Sequence, residues 1–231
     1  MNNTNLQKGS TATTVVMAVV VGLIISAVGL VFVKNNKTAD NATTALSQAA
    51  PVSDAASDLR VLLNALEREH VNLAAAATRR GFEGDPDFEA AAGQLDANSK
   101  EIAAAVGSVY GAEAEAKFYE IWASHIQFFV DYTVAAKSGD QAGMDQAVEN
   151  LGGYQNAIAD FLSSANPELP REAVFDLVGE HIGLLKGAVD AHGAGNYAES
   201  YAKEHEANVQ IGTIADALSG AIVKQNPDMF K

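Results

Sequence analysis

LEREHVNLAAAATRRGFEGD, residues 66–85, sets His70 inside an apolar pattern of helical period and follows it fourteen residues later with Gly84-Asp85. Two further stretches align with it without a gap: IWASHIQFFVDYTVAAKSGD (121–140) and LVGEHIGLLKGAVDAHGAGN (177–196). An aliphatic residue stands four before each histidine (Leu66, Ile121, Leu177). A β-branched residue follows directly (Val71, Ile126, Ile182), and an apolar one comes three after (Leu73, Phe128, Leu184). His70, His125 and His181 are thus spaced by 55 and 56 residues. Gly84-Asp85, Gly139-Asp140 and Gly195-Asn196 close the three copies.

Each copy reads as the first half of a helical hairpin. Apolar residues at −7, −4, 0, +3, +4 and +7 from the histidine trace one helix face, as in Phe118, Ile121, His125, Phe128, Phe129 and Tyr132. The glycine supplies a left-handed C-terminal cap, and the Asp or Asn behind it can cap the next helix. The return segments align as well: Leu95, Ile102 and Val106 with Leu151, Ile158 and Leu162, and with Ala207, Ile214 and Leu218. Breakers at Tyr110-Gly111, Asn166-Pro167 and Asn226-Pro227 end the units. The expected fold is all-α, six antiparallel helices in three hairpins at about 59–111, 112–167 and 168–227 of a domain spanning 59–231. A hairpin cannot bury its own apolar face, so the units form either a bundle or a short right-handed stack. Alanine runs at 74–77, 90–92 and 103–105 allow close helix approach.

Ahead of the repeats, residues 15–33 (VVMAVVVGLIISAVGLVFV) hold no charge, and as a helix would be about 28 Å long, near the thickness of a bilayer core. A cleaved signal peptide is the alternative, with a small-residue site at Ser47-Gln48-Ala49, but its apolar region normally runs about 7–15 residues. The expectation is a single-pass anchor after a tail of residues 1–14, with the bulk of the chain extracytoplasmic. Ala18, Gly22 and Ser26 form a small-residue face through which two such helices could associate. Residues 34–58, rich in Ala, Ser, Thr, Asn and Asp, read as a flexible tether.

The net charge is −14, and residues 1–58 contribute nothing to it, since three Lys there balance three Asp. Such a field repels nucleic acid and anionic membrane surfaces, so neither is an expected partner. The chain has no cysteine, which removes disulfides and thiolate sites.

Several segments carry a resemblance: DFEAAAGQLDANS (87–99), SVYGAEA (108–114), HIQFFVDYTVAA (125–136), FLSSANPELP (161–170) and IADALSGAIVKQNPDMF (214–230). They resemble a family of exported or membrane-anchored helical proteins of bacteria, chiefly Gram-positive lineages. The resemblance implies a location and a fold, and no activity. Members of that family carry a histidine and methionines in the last helix, where this chain has Gln210, Ile211 and Thr213.

Two readings of the histidines stand side by side. In one they are neutral core residues, each satisfied by a partner in a matched column of the return helix: Asn98, Tyr154 and Gln210. In the other His70, His125 and His181 converge on zinc, copper or haem. Glu67-x-x-His70 occurs once, with Trp122 and Val178 in the glutamate column of the other copies, which does not suit a carboxylate di-iron site. No nucleophile elbow, phosphate loop or dinucleotide fingerprint is present, so an enzyme is not expected. The functional expectation is a membrane-tethered helical binding or scaffolding module, with a protein partner and an accessory place in a membrane assembly. The alternative is a metal- or haem-binding protein of the cell envelope.

Overall fold

The computed structural model describes residues 54–231. These form six helices: α1 (Ala55–Glu83), α2 (Phe88–Tyr110), α3 (Ala112–Ser138), α4 (Gln141–Ala165), α5 (Arg171–Gly193) and α6 (Tyr197–Gln225), followed by a short 3₁₀ turn (Pro227–Phe230). The described residues contain no strand. The segment 15–33, with Ala18, Gly22 and Ser26, lies outside the described residues, as does most of the tether. Among the described residues, no helix is long and apolar enough to cross a membrane. The first helix starts at Ala55, inside the stretch assigned to the tether, because Asp54 caps it by accepting from Ser57 N–H at 2.8 Å.

The three hairpin turns share one geometry. Gly84, Gly139 and Gly195 have φ of 79°, 70° and 73°, a region that only glycine enters without a Cβ penalty. The residue after each glycine then donates its N–H to the carbonyl five positions back: Asp85 to Arg80, Asp140 to Ala135, Asn196 to Ala191. This is the six-to-one bond of a Schellman ending. The second half of the motif diverges. Asp140 and Asn196 cap α4 and α6 through Gly143 N–H (3.1 Å) and Glu199 N–H (3.5 Å). Asp85, expected to cap the first return helix, does not. Pro86 follows it, the turn lengthens, and α2 begins only at Phe88 with Asp87 in the cap position.

Of the two expected arrangements, the helices adopt the bundle. Every helix packs on its neighbours in sequence, and α6 returns to pack on α1, so the six close into a ring. The first helices of the hairpins, α1, α3 and α5, also touch one another, which puts them on the inside. Polar contacts close the α1–α6 seam: Arg60 pairs with Asp216, Asn64 Nδ2 donates to Asp216 at 2.8 Å, and Arg68 donates to the Asn208 carbonyl at 2.6 Å. At the breaker end, Asn166 donates to the Tyr110 hydroxyl (3.0 Å) and Tyr110 donates to Gln225 (2.8 Å). Gln225 in turn donates to the Ala165 carbonyl (2.9 Å), so the ends of α2, α4 and α6 are tied together.

Mutual contact among α1, α3 and α5 widens their inward stripe beyond the one expected. The expected −7 (Leu63, Phe118, Val174) and +7 (Ala77, Tyr132, Ala188) columns are buried, and the −3 column (Glu67, Trp122, Val178) joins them. At −4 and +3, Ile121, Leu177, Leu73, Phe128 and Leu184 are half-buried on the flanks, and Leu66 alone is buried. The −3 column, read in sequence as evidence against a metal motif, is therefore a layer of the core.

Candidate functional site

Each first helix brings its histidine to the same level. His70 Nδ1 lies 3.1 Å from Asn98 Oδ1, while Asn98 Nδ2 donates to the Leu66 carbonyl at 3.1 Å. His181 repeats the arrangement with Gln210: Nδ1 to Oε1 is 2.9 Å, and Gln210 Nε2 donates to the Leu177 carbonyl at 2.9 Å. The carbonyl in both cases is four residues before the histidine, the one that its own helix leaves on that side. The middle copy departs. Tyr154 stacks on the His125 ring (centroids 4.6 Å apart, planes 29°), and His125 Nδ1 instead meets the Trp122 carbonyl.

The three rings do not form a ligand triad. His70 and His125 meet Nε2 to Nε2 at 3.4 Å, whereas His181, half-buried, stands in the wall of a cavity and is held by Gln210. Among the described residues no group of three or more His, Asp or Glu is placed to hold a metal ion.

Below the histidine layer, toward the breaker end, lies a cavity of about 350 Å³. Phe118, Trp122, Tyr154, Val174, Val178 and Ile211 form much of its wall, with His70, His125 and His181 at its head. It reaches the surface beside Lys224 and Glu168. Its origin is visible in the columns. Where the second repeat fills the interior with Phe118 and Trp122, the third supplies Val174 and Val178. The volume difference is left open on the α5–α6 side. A second space of about 40 Å³ lies on the other face of the His70–His125 pair, so the two rings act as a partition.

Two side chains of this centre are unsatisfied. Neither carboxyl oxygen of Glu67, a fully buried residue, has a hydrogen-bond partner. Trp122 Nε1 is also without one. The Trp122 ring is wedged among Phe118 (5.3 Å), His70 (5.0 Å) and His125 (5.0 Å). Burial pushes the Glu67 carboxyl up to about 8 and the His70 and His181 imidazoles down to about 4. Burial, and next the adjacent His70 ring, hold His125 well below its ordinary value. Burial, followed by the nearby Glu67 carboxylate, raises the Tyr154 phenol. The interior is therefore uncharged near neutral pH.

No family model matches the chain, and no curated protein or solved structure matches it. The assignment rests on the site itself. The histidines and their partner column could be picked out in sequence because they repeat. Glu67 and the unpaired Trp122 could not, because each occurs in one copy only, and their burial follows from the mutual contact of the inner helices.

Proposed function

We propose that the chain is a membrane-tethered, extracytoplasmic binding module that takes a small, largely apolar molecule into the chamber between its three hairpins. The observation that carries this reading is the 350 Å³ cavity lined by the Phe118, Trp122 and Tyr154 rings and by aliphatic side chains. The volume lies at the lower end of small-molecule sites, which are mostly apolar with a few placed polar groups. Aromatic and aliphatic walls take up the surface of an apolar guest. The anchor at residues 15–33 and the resemblance to exported helical proteins support a position outside the cytoplasm. Scaffolding by the outer surface is the competing use of the same fold.

The test uses a reporter that the chain already has. Trp122 is the only tryptophan, and it lines the chamber. Cyclohexanone and cyclohexane, titrated into the full chain in detergent, differ by one acceptor. Saturable change in tryptophan emission, lost when Val178→Phe fills the chamber, supports an internal site. Unchanged emission with both probes would remove the chamber reading and leave the outer surface as the working part.

A further inference from the structure

The hydrogen bonds around the histidines fix their protons. Gln210 can direct its Nε2 only at the Leu177 carbonyl, since the reversed amide would set two acceptors against each other; its Oε1 therefore faces His181. An amide oxygen accepts, so the His181 proton is on Nδ1. Asn98 fixes His70 in the same way, and the Trp122 carbonyl fixes His125. All three Nε2 atoms are then bare, each with its lone pair. Those of His70 and His125 are turned on each other, 3.4 Å apart. His181 Nε2 meets no hydrogen-bonding group among the described residues. It is not sealed in, as Trp122 Nε1 and the Glu67 carboxyl are, and its ring stands in the chamber wall. The Tyr154 hydroxyl, on the same wall, is likewise open and has no partner among the described residues.

We propose that the guest of the chamber is a neutral alcohol or phenol, held with its hydroxyl at the histidine head and its hydrocarbon body toward the breaker end. A lone pair at His181 Nε2 is completed by an O–H and gains nothing from a carbonyl, ether or carboxylate oxygen. The Tyr154 hydroxyl turns to donate or accept, so it can complete the guest's bonding, and the choice of a donor is left to His181. Charge on the guest has no counterpart inside. The charged side chains on the wall are Lys224, Glu168 and Asp216; the first two pair with each other, and Asp216 is held by Arg60 and Asn64. Burial keeps the His181 ring neutral near pH 7. An ion would therefore enter unpaired, which costs far more than entry of a neutral group. Beyond the head the wall is hydrocarbon, with Leu162, Leu169, Val174, Leu218 and Ala221 against the body of the guest.

The inference rests on the chamber reading and names its ligand class, and the test separates the two. Cyclohexanol joins cyclohexanone and cyclohexane in titrations of the full chain in detergent, followed by Trp122 emission. Alcohol and ketone share the ring and the oxygen, and only the alcohol has an O–H to give. It should bind about 3–10-fold tighter than the ketone, the worth of one hydrogen bond. His181→Phe keeps a planar ring without the acceptor; it should abolish that preference while cyclohexane still binds. Because the substitution also leaves Gln210 without its histidine, nitrogen-15 NMR of the unmodified chain provides the second reading. Cyclohexanol should move Nε2 of residue 181 while its Nδ1–H signal persists, and cyclohexanone should move it far less. Saturable binding with the ketone as tight as the alcohol, or NMR shifts confined to His192 and His205, would overturn the inference and leave the chamber standing. Unchanged emission with all three probes would remove the chamber, and the inference with it.

Discussion

Asn98 and Gln210 perform one task in two repeats: each accepts from a histidine Nδ1 and donates to the carbonyl four residues before that histidine. The amide thereby locks the return helix to the first helix in one register and sets the imidazole tautomer. A leucine in place of Asn98 leaves a buried imidazole N–H without a partner, at a cost of about 1–3 kcal/mol. Gln210→Leu costs less, since His181 borders the cavity. Tyr154→Phe, in the same column, keeps the ring stack on His125 and changes stability by less than about 0.5 kcal/mol. Urea denaturation of the three variants tests that order.

Glu67 lowers the stability of the fold near neutral pH. Its two oxygens are desolvated and unpaired, so Glu67→Leu, of similar size, should raise stability by about 1–3 kcal/mol. A loss of stability in Glu67→Leu would instead mean that the carboxyl has a partner in solution.

The pH dependence of stability follows from opposite shifts. The His70 and His181 imidazoles sit at about 4, below the 6.5 of an unperturbed histidine. The unfolded chain therefore takes up protons first as pH falls. Their contribution is complete above 6.5 and is lost toward 4, and His125 acts in the same direction. Glu67, at about 8 against an ordinary 4.5, contributes below 4.5 and loses that contribution as pH rises through 8. Three histidines outweigh one carboxyl on the acid side. The melting temperature should peak near pH 6.5, and Glu67→Gln should flatten the alkaline decline while leaving the acid limb in place.

Sequence showed the fold through its repetition. Three histidines, three turn glycines and three breakers each recur at one spacing, and the helices and the Schellman turns follow from them. It also carried Asn98, Tyr154 and Gln210 as one column. What it did not show was set by tertiary contact. Closure of the ring brings α1, α3 and α5 into mutual contact, so the −3 position also faces inward and Glu67 is a buried acid. The cavity was equally hidden, since it arises from a volume mismatch between Phe118 and Trp122 in one copy and Val174 and Val178 in another. Asp85 differs from its sisters because of the Pro86 beside it, a local exception that the shared column masked.

The turn glycines allow a direct comparison. Around Gly139 nothing lies within 4 Å of an added Cβ, so the cost of Gly139→Ala is backbone strain alone, about 1–2 kcal/mol at a positive φ. Gly93, exposed within α2 and equally free of neighbours, should gain about 0.5–1 kcal/mol on the same substitution. Thermal melts of the two variants should move in opposite directions.

The tautomers of the central histidines are readable by long-range proton–nitrogen correlation NMR on the unliganded chain, labelled with nitrogen-15 histidine, near neutral pH. His70, His125 and His181 should all carry the proton on Nδ1 and show the Nε2 shift of an unprotonated ring nitrogen. A proton on Nε2 of His70 or His125 would turn their contact into an ordinary hydrogen bond, and the facing pair of bare nitrogens would not exist.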